Sequence, residues 1–448
     1  MLKNMTEGRP LSLILSFMVP LLIGNVFQQL YNIADIIIVG RTIGVEALAA
    51  VGAVSPLFIL IIVLTLGLSN GFTVITGQRY GAQDMAGVRR SIATCTYLSL
   101  GSVVVLMGIF HLIIDPVLAL MNIPSELYAD AKSYVMIIAD GVVAMMAYNL
   151  LAGIMRSLGD SKTPLYFLII ASVVNVALAL AFIIYLGWGV PGSAVALVIA
   201  QAVSALLCIG YVAKRFPQLH LSKGDFLFQW QEAWCHLRMG LPMALQFSVI
   251  GMGIIILQAV CNKFGAQQIA GFTTAVRVEQ LALQPMISSG LAMAVFTAQN
   301  YGARRFDRIR EAVNKCSLVS FGFSALAAGL LLTFGETIIK IFLENPSEQV
   351  MEAAHLYLLY TVPIYFFLSQ IFIYRNACQG MGIGMVPLLA SVIELVGRSG
   401  AAIYLGDLWG FRGLCFAQPL AWISSAVFVF LSYQYFIRVL EKKYQQLV

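Results

Sequence analysis

Gly77-Gln78-Arg79-Tyr80-Gly81-Ala82 returns as Ala298-Gln299-Asn300-Tyr301-Gly302-Ala303, an offset of 221 residues. The register holds onward without a gap, because Arg89 and Cys95 recur as Arg310 and Cys316. Outward from this motif, Pro20 pairs with Pro242, and Gly159, Pro164 and Leu165 pair with Gly382, Pro387 and Leu388. Gly189, Gly192, Ala196, Ala200, Ser204 and Ala205 come back as Gly410, Gly413, Ala417, Ala421, Ser425 and Ala426. The chain is two copies of one unit. Each copy is a row of long apolar stretches, and duplicated apolar spans are the sequence pattern of secondary transporters.

Composition excludes a water-soluble globule. Hydrophobic residues make up 60% of the chain and charged residues 11%, whereas soluble domains carry about 25% charge. Twelve spans are expected: 11–38, 47–76, 88–113, 131–155, 163–186 and 190–213, then 236–261, 266–297, 313–334, 351–379, 387–406 and 411–437. A helix of roughly 20 apolar residues crosses the hydrocarbon layer. The fold class is therefore an all-α integral membrane protein, with twelve transmembrane helices in two six-helix lobes. Lys and Arg concentrate on the cytoplasmic side, and one set of loops holds nineteen of them against five in the other, Arg41, Lys132, Lys263, Lys340 and Arg412. Both termini are expected in the cytoplasm, the protein sitting in the cell inner or plasma membrane. The net charge of +6 follows from that topology and from contact with anionic lipid, so no nucleic-acid partner is expected.

The basic stretch between Lys214 and Arg238 carries Pro217, Gly224, Trp230 and Trp234. It divides the chain into an N-lobe at 1–213, a cytoplasmic linker at 214–235 and a C-lobe at 236–448, with the tryptophans at the inner membrane interface. The first apolar stretch is too long for a signal peptide and is expected to remain as the first helix. The seven cysteines are scattered and form no CxxC, so neither a disulfide framework nor a metal site is expected. Pro20, Pro56, Pro285, Pro363 and Pro419 fall inside spans as kinks, serving packing or a hinge.

Two catalytic patterns fail on their context. Gly67-Leu68-Ser69-Asn70-Gly71 fits G-x-S-x-G, but it lies in an apolar span rather than on a strand-to-helix turn. The four histidines sit in loops or at span ends, away from a partner role, so the glycines are expected to serve close helix packing. No P-loop sequence exists, leaving an ion gradient as the energy source.

Coupling to an ion requires an ionisable group within the membrane, and such groups are rare because each costs about 2.5–3.5 kcal/mol at a helix centre. Gln28, Tyr31, Asn32 and Asp35 occupy i, i+3, i+4 and i+7, one polar face of the first helix. Asp35 has no base three or four residues away, which suits an acid that takes up a proton or holds a cation. Asp140 reads as an acid near the outer water interface. Glu394 and Arg398 stand at i and i+4, a spacing for a salt bridge that either neutralises itself or opens to substrate. Arg277 and Glu279 are two apart and point different ways around their helix. Thr273, Arg277, Gln280 and Gln284 form one polar stripe, and Gln370, Tyr374 and Arg375 another. These residues are candidates for lining an aqueous substrate cavity, to which flexible methionines and aromatic walls are suited.

These stretches resemble the multidrug and toxic compound extrusion family, MATE. The matching text is Pro20, Tyr-Asn-Ile-Ala-Asp-Ile-Ile-Ile-Val-Gly-Arg at 31–41, Gly-Val-Glu-Ala-Leu-Ala-Ala-Val-Gly at 44–52, the repeat motifs at 77–82 and 298–303, and Arg-Ser-Leu-Gly-Asp at 156–160. The resemblance implies two six-helix bundles exporting cationic amphiphiles in exchange for sodium ions or protons. It also implies that Asp35 binds the coupling ion with help from Asn175. Two departures count against sodium, which wants several oxygen ligands: the acid that follows the asparagine by four residues in some members is Ala179 here, and a sixth-helix threonine is Leu197. The seventh-helix glutamate of another branch is also missing, with Ile250 or its neighbours in its place. Protons are the favoured coupling ion, no cofactor is expected, and the monomer is expected to function alone. The alternatives are a lipid-linked oligosaccharide flippase, whose cavity would be more basic, and an intramembrane enzyme built on Ser69 or the acids.

Overall fold

The computed structural model describes residues 4–121, 123–342 and 346–446, with side chains described there except at 30–37, 39, 41, 45, 48, 341 and 342. The first repeat holds α1 (Pro10–Thr42), α2 (Val45–Gly81), α3 (Met85–Leu120), α4 (Ser125–Asp140), α5 (Val142–Ser157), α6 (Lys162–Leu180) and α7 (Gly189–Arg215). The second holds α8 (Trp230–Cys261), α9 (Ala266–Ala282), α10 (Gln284–Gly302), α11 (Phe306–Phe342), α12 (Glu348–Thr361), α13 (Tyr365–Gly380), α14 (Met385–Trp409) and α15 (Phe411–Gln445).

Among the described residues ten helical segments are each long and apolar enough to cross a membrane, and two bent pairs complete twelve spans. The spans expected at 131–155 and 266–297 are these bent pairs: α4 meets α5 at 45° and α9 meets α10 at 42°. Local chemistry accounts for both bends. At Gly141 the α7 side chain of Val198 comes so close that a Cβ would lie 2.2 Å from its Cγ2. Pro285 stands in the first turn of α10, where its missing N–H interrupts the ladder from α9. Pro363 breaks α12 from α13 through a short 3-10 turn at Val362–Ile364. By contrast Pro20, Pro56 and Pro419 are absorbed within α1, α2 and α15, as Pro116 is in α3.

The duplication is written in the backbone. Among the described residues only two non-glycine residues have positive φ, Gln83 at 59° and Arg304 at 58°. They lie 221 positions apart, each in the turn that follows the repeated motif, and an L-residue in that conformation costs about 1–2 kcal/mol. Gly159 and Gly382, paired in the sequence, likewise share positive φ at 94° and 85°.

The helices group into two compact units, one containing Pro20–Ala244 and the other Met5–Val19 with Leu245–Val448. The division falls inside α1 and α8 rather than at the 214–235 linker, which lies within the first unit. Specific contacts in each unit hold the start of the exchanged helix. In the first, Arg79 grips Glu232 of α8 at 2.6 Å, and His236 bonds Ser91 Oγ at 2.8 Å and the Glu232 carbonyl at 2.8 Å. His236, at the start of its expected span, is fully buried with these partners. In the second unit, the Met5 N–H donates to Gln299 Oε1 at 2.9 Å, and Asn300 Nδ2 donates to the Met5 carbonyl at 3.0 Å. Arg308 donates to the carbonyls of Met5 and Gly8 and to Asn300 Oδ1, at 3.2, 2.9 and 2.9 Å. The repeated motifs thus anchor chain ends. Arg308→Ala removes three charge-assisted bonds from a site that is 8% exposed. Thermal unfolding in detergent should register a loss of about 3 kcal/mol, whereas a loosely held surface arginine would leave the transition within error.

Candidate functional site

The apolar packing of α6 isolates one polar side chain in the first unit. Asn175 is 1% exposed, and among the described residues neither its amide nitrogen nor its amide oxygen has a hydrogen-bond partner. One turn on, Ala179 is fully buried in an apolar cluster with Ile183 and Ala196, onto which Ile38 of α1 and Ile43 pack. No side-chain oxygen comes from position 179, and Leu197 is part of the apolar packing of this unit. Tyr31, Asn32 and Asp35 lie on the α1 backbone, their side chains outside the described residues. Gln28, on the same face by spacing, is exposed.

An orphaned buried amide is costly unless something occupies it, about 1–3 kcal/mol for a polar group left without a partner. This gives a test with two readouts. Asn175→Leu should lower export with the thermal unfolding midpoint held or raised, because an apolar side chain of similar size keeps the packing and removes the amide's ligand chemistry. A fall in both readouts would assign Asn175 a structural role.

In the second unit, candidates on two helices converge with a serine from a third. Glu394 of α14 lies 3.7 Å from Arg398 Nη2, one turn on, and 3.9 Å from Arg375 Nη1 of α13. It also accepts a hydrogen bond from Ser425 Oγ of α15 at 3.0 Å. Glu279 of α9 is buried as well, its carboxylate accepting from Tyr357 Oη at 2.8 Å and from Tyr365 Oη at 3.4 Å. Its helix neighbour Arg277 is exposed, so the two do point apart. Gln284 is buried and turned back to the Gln280 carbonyl at 3.0 Å. Gln370 is buried between Ser317 and Ser369. Tyr374 packs its ring against Phe430 and Tyr433, both at 5.3 Å. Tyr357, Tyr365 and Ser425 were not singled out as site residues from sequence, although a tyrosine hydroxyl must find a partner when buried.

Other sequence candidates resolve as structure. Asp140 is exposed, 3.4 Å from His111 Nε2, as an acid near the water interface would be. Ser69 Oγ contacts Met146 Sδ at 3.3 Å, and its flanking glycines pack tightly on α8. Asp160 of the Arg-Ser-Leu-Gly-Asp stretch opens α6, accepting from the backbone of Lys162 and Thr163 and from the Thr163 and Tyr211 hydroxyls.

A family model described as MatE matches residues 20–181 and 242–398, one segment in each repeat. The chain is 28% identical over 433 residues to the probable multidrug resistance protein YoeA of Bacillus subtilis, covering 94% of this chain and 92% of the relative. Among solved structures it is similar to a MATE crystal structure in the bent conformation, with a TM-score of 0.91 and 25% identity over 98% of both chains. It is also similar to a MOP superfamily transporter from Pyrococcus furiosus whose binding pocket is described as of reverse polarity, with a TM-score of 0.90 and 26% identity over 98% of both chains.

Proposed function

The chain belongs to the MatE family of multidrug efflux transporters and is a multi-pass membrane protein rather than an enzyme; from that premise we propose that it exports amphiphilic small molecules, organic cations among them, in exchange for protons. Asp35 takes up the coupling proton and Asn175 faces it. Protein and lipid are the only other participants: the monomer acts alone, without cofactor, its termini in the cytoplasm.

The observation that carries the coupling assignment is the buried Asn175 amide, without a partner among the described residues, beside an all-apolar cluster. Ile38, one turn beyond Asp35, packs onto that cluster one turn beyond Asn175, so helical spacing sets Asp35 and Asn175 at matching levels of α1 and α6. A sodium ion would need a cage of oxygens, and Ala179 and Leu197 supply none. A proton needs only the acid and an amide that serves either of its states, donating to the carboxylate or accepting from the carboxylic acid.

Purified protein in proteoliposomes, given a proton gradient or a sodium gradient singly, tests the proposal through ethidium movement. The proton gradient alone should drive it. Movement driven only by sodium would overturn the choice of ion, and movement with neither would overturn the exporter.

A further inference from the structure

We infer that Arg375 and Arg398 form a subsite for a carboxylate carried by the substrate, so that the favoured cargo is an amphiphilic acid or zwitterion rather than a plain cation. The inference rests on the exporter reading and concerns only what is carried.

Two guanidiniums present ten N–H donors, and among the described residues neither arginine donates a hydrogen bond. Among the described residues the carboxylate they pair with is that of Glu394, 3.9 Å from Arg375 and 3.7 Å from Arg398, too far to accept. The Nε atoms of both are buried without a partner. Burial is nearly complete, with side chains 8% and 5% exposed. Glu279 reaches Arg398 only through space, its oxygens accepting from Tyr357 and Tyr365.

The same lobe provides a control. Arg308, buried to a similar degree, spends its donors on Asn300, Met5 and Gly8. This protein therefore satisfies an arginine whose task is structural, while Arg375 and Arg398, left without hydrogen-bond acceptors among the described residues, sit together around Glu394. Buried guanidinium charge without acceptors is strongly unfavourable, and water would answer the N–H groups without answering the charge. A carboxylate answers both, since its two oxygens match the planar fork. With Glu394 already among the guanidiniums, a monoanion fits better than a phosphate dianion.

Arg375 lies over the Phe372 ring at 5.1 Å, a cation–π contact that spends none of its N–H donors. Arg398 passes Gly253 of α8, where a Cβ would sit 3.2 Å from Nη1. Glu394 is then the internal competitor: it keeps the pair partly compensated when empty and yields to the incoming carboxylate.

Rhodamine 110 carries a free carboxylate and rhodamine 123 is its methyl ester, so the pair differs only in the group at issue. Fluorescence anisotropy with the full-length protein in lipid nanodiscs should give rhodamine 110 an affinity roughly 10-fold tighter. Arg398→Gln should erase the difference. Glu394→Gln removes the competitor and keeps an acceptor for Ser425, so it should widen the ratio further; this variant decides if Arg398→Gln does not fold. Equal affinities in the wild type, a preference untouched by both substitutions, or no binding of either dye to a preparation with intact ethidium export would each overturn the subsite. Loss of gradient-driven ethidium movement with the rhodamine 110 preference preserved would instead remove the exporter reading and leave the subsite standing.

Discussion

Asp35→Asn is expected to bring proton-driven ethidium export down to the leak rate, a fall on the order of 100-fold, while the protein stays folded. Asparagine keeps the size and the hydrogen-bonding oxygen of aspartate but has no proton to take up or release. A gradient shifts an alternating transporter only through an ion that binds its two states with different affinity, and the neutral amide binds no proton in either. Removing a charge from the membrane interior also lowers a cost of about 2.5–3.5 kcal/mol, so the variant should unfold at the same temperature or higher. That combination separates coupling from architecture. Export at the wild-type rate would refute the coupling role, and a lower unfolding midpoint would make Asp35 a structural acid. Dye binding in the absence of a gradient is the internal control, since the proposed substrate contacts lie on α13 and α14 and should persist.

The architecture was legible because it is periodic. Apolar stretches of the right length, a repeat that holds register from Gln78 to Cys95, and the asymmetry of basic loops depend on one-dimensional pattern alone. Helix breaks were legible where proline caused them, as at Pro285, and not at Gly141, where the cause is a valine 57 residues away in sequence. The exchange of helix ends between the two units left no trace that composition could reveal, because the grips on Met5 and Glu232 are made to a backbone and to an ordinary-looking surface acid. Site residues follow the same division. The i,i+4 spacing of Glu394 and Arg398 foretold their proximity, while the partners of Glu279 came from another helix pair and had no spacing to announce them. Arg277 and Gln28, expected to line an aqueous cavity, are exposed, and their helix spacing named no partner for either. Polarity on an apolar helix says that a residue avoids lipid; it does not say which neighbour it meets.

Substituting both Gly67 and Gly71 by alanine is expected to cost several kcal/mol, enough to abolish a monodisperse folded species in detergent. These glycines lie one turn apart on α2 and face Ala244 and Gly240, one turn apart on α8. A Cβ on Gly67 would stand 2.5 Å from the Ala244 Cα, and one on Gly71 would stand 2.5 Å from the Gly240 Cα. Both obstacles are backbone, so no rotamer change relieves them. Within a bilayer the hydrophobic effect does not press helices together, and association depends on close packing of this kind between small residues. The Phe72 ring fills the space beside Gly240, where a Cβ would come within 2.3 Å of Cε1. Gly101 and Gly108 on α3 provide the contrast, with nothing within 4 Å of a built Cβ. Alanine there should be neutral or stabilising by about 0.5–1 kcal/mol through helix propensity alone. Size-exclusion profiles and unfolding midpoints of the two double variants, compared side by side, measure the packing of α2 on α8 free of any general effect of glycine. Equal midpoints would mean that α8 does not rest on this glycine face, and the reading of G-x-S-x-G as a packing motif would fall with it.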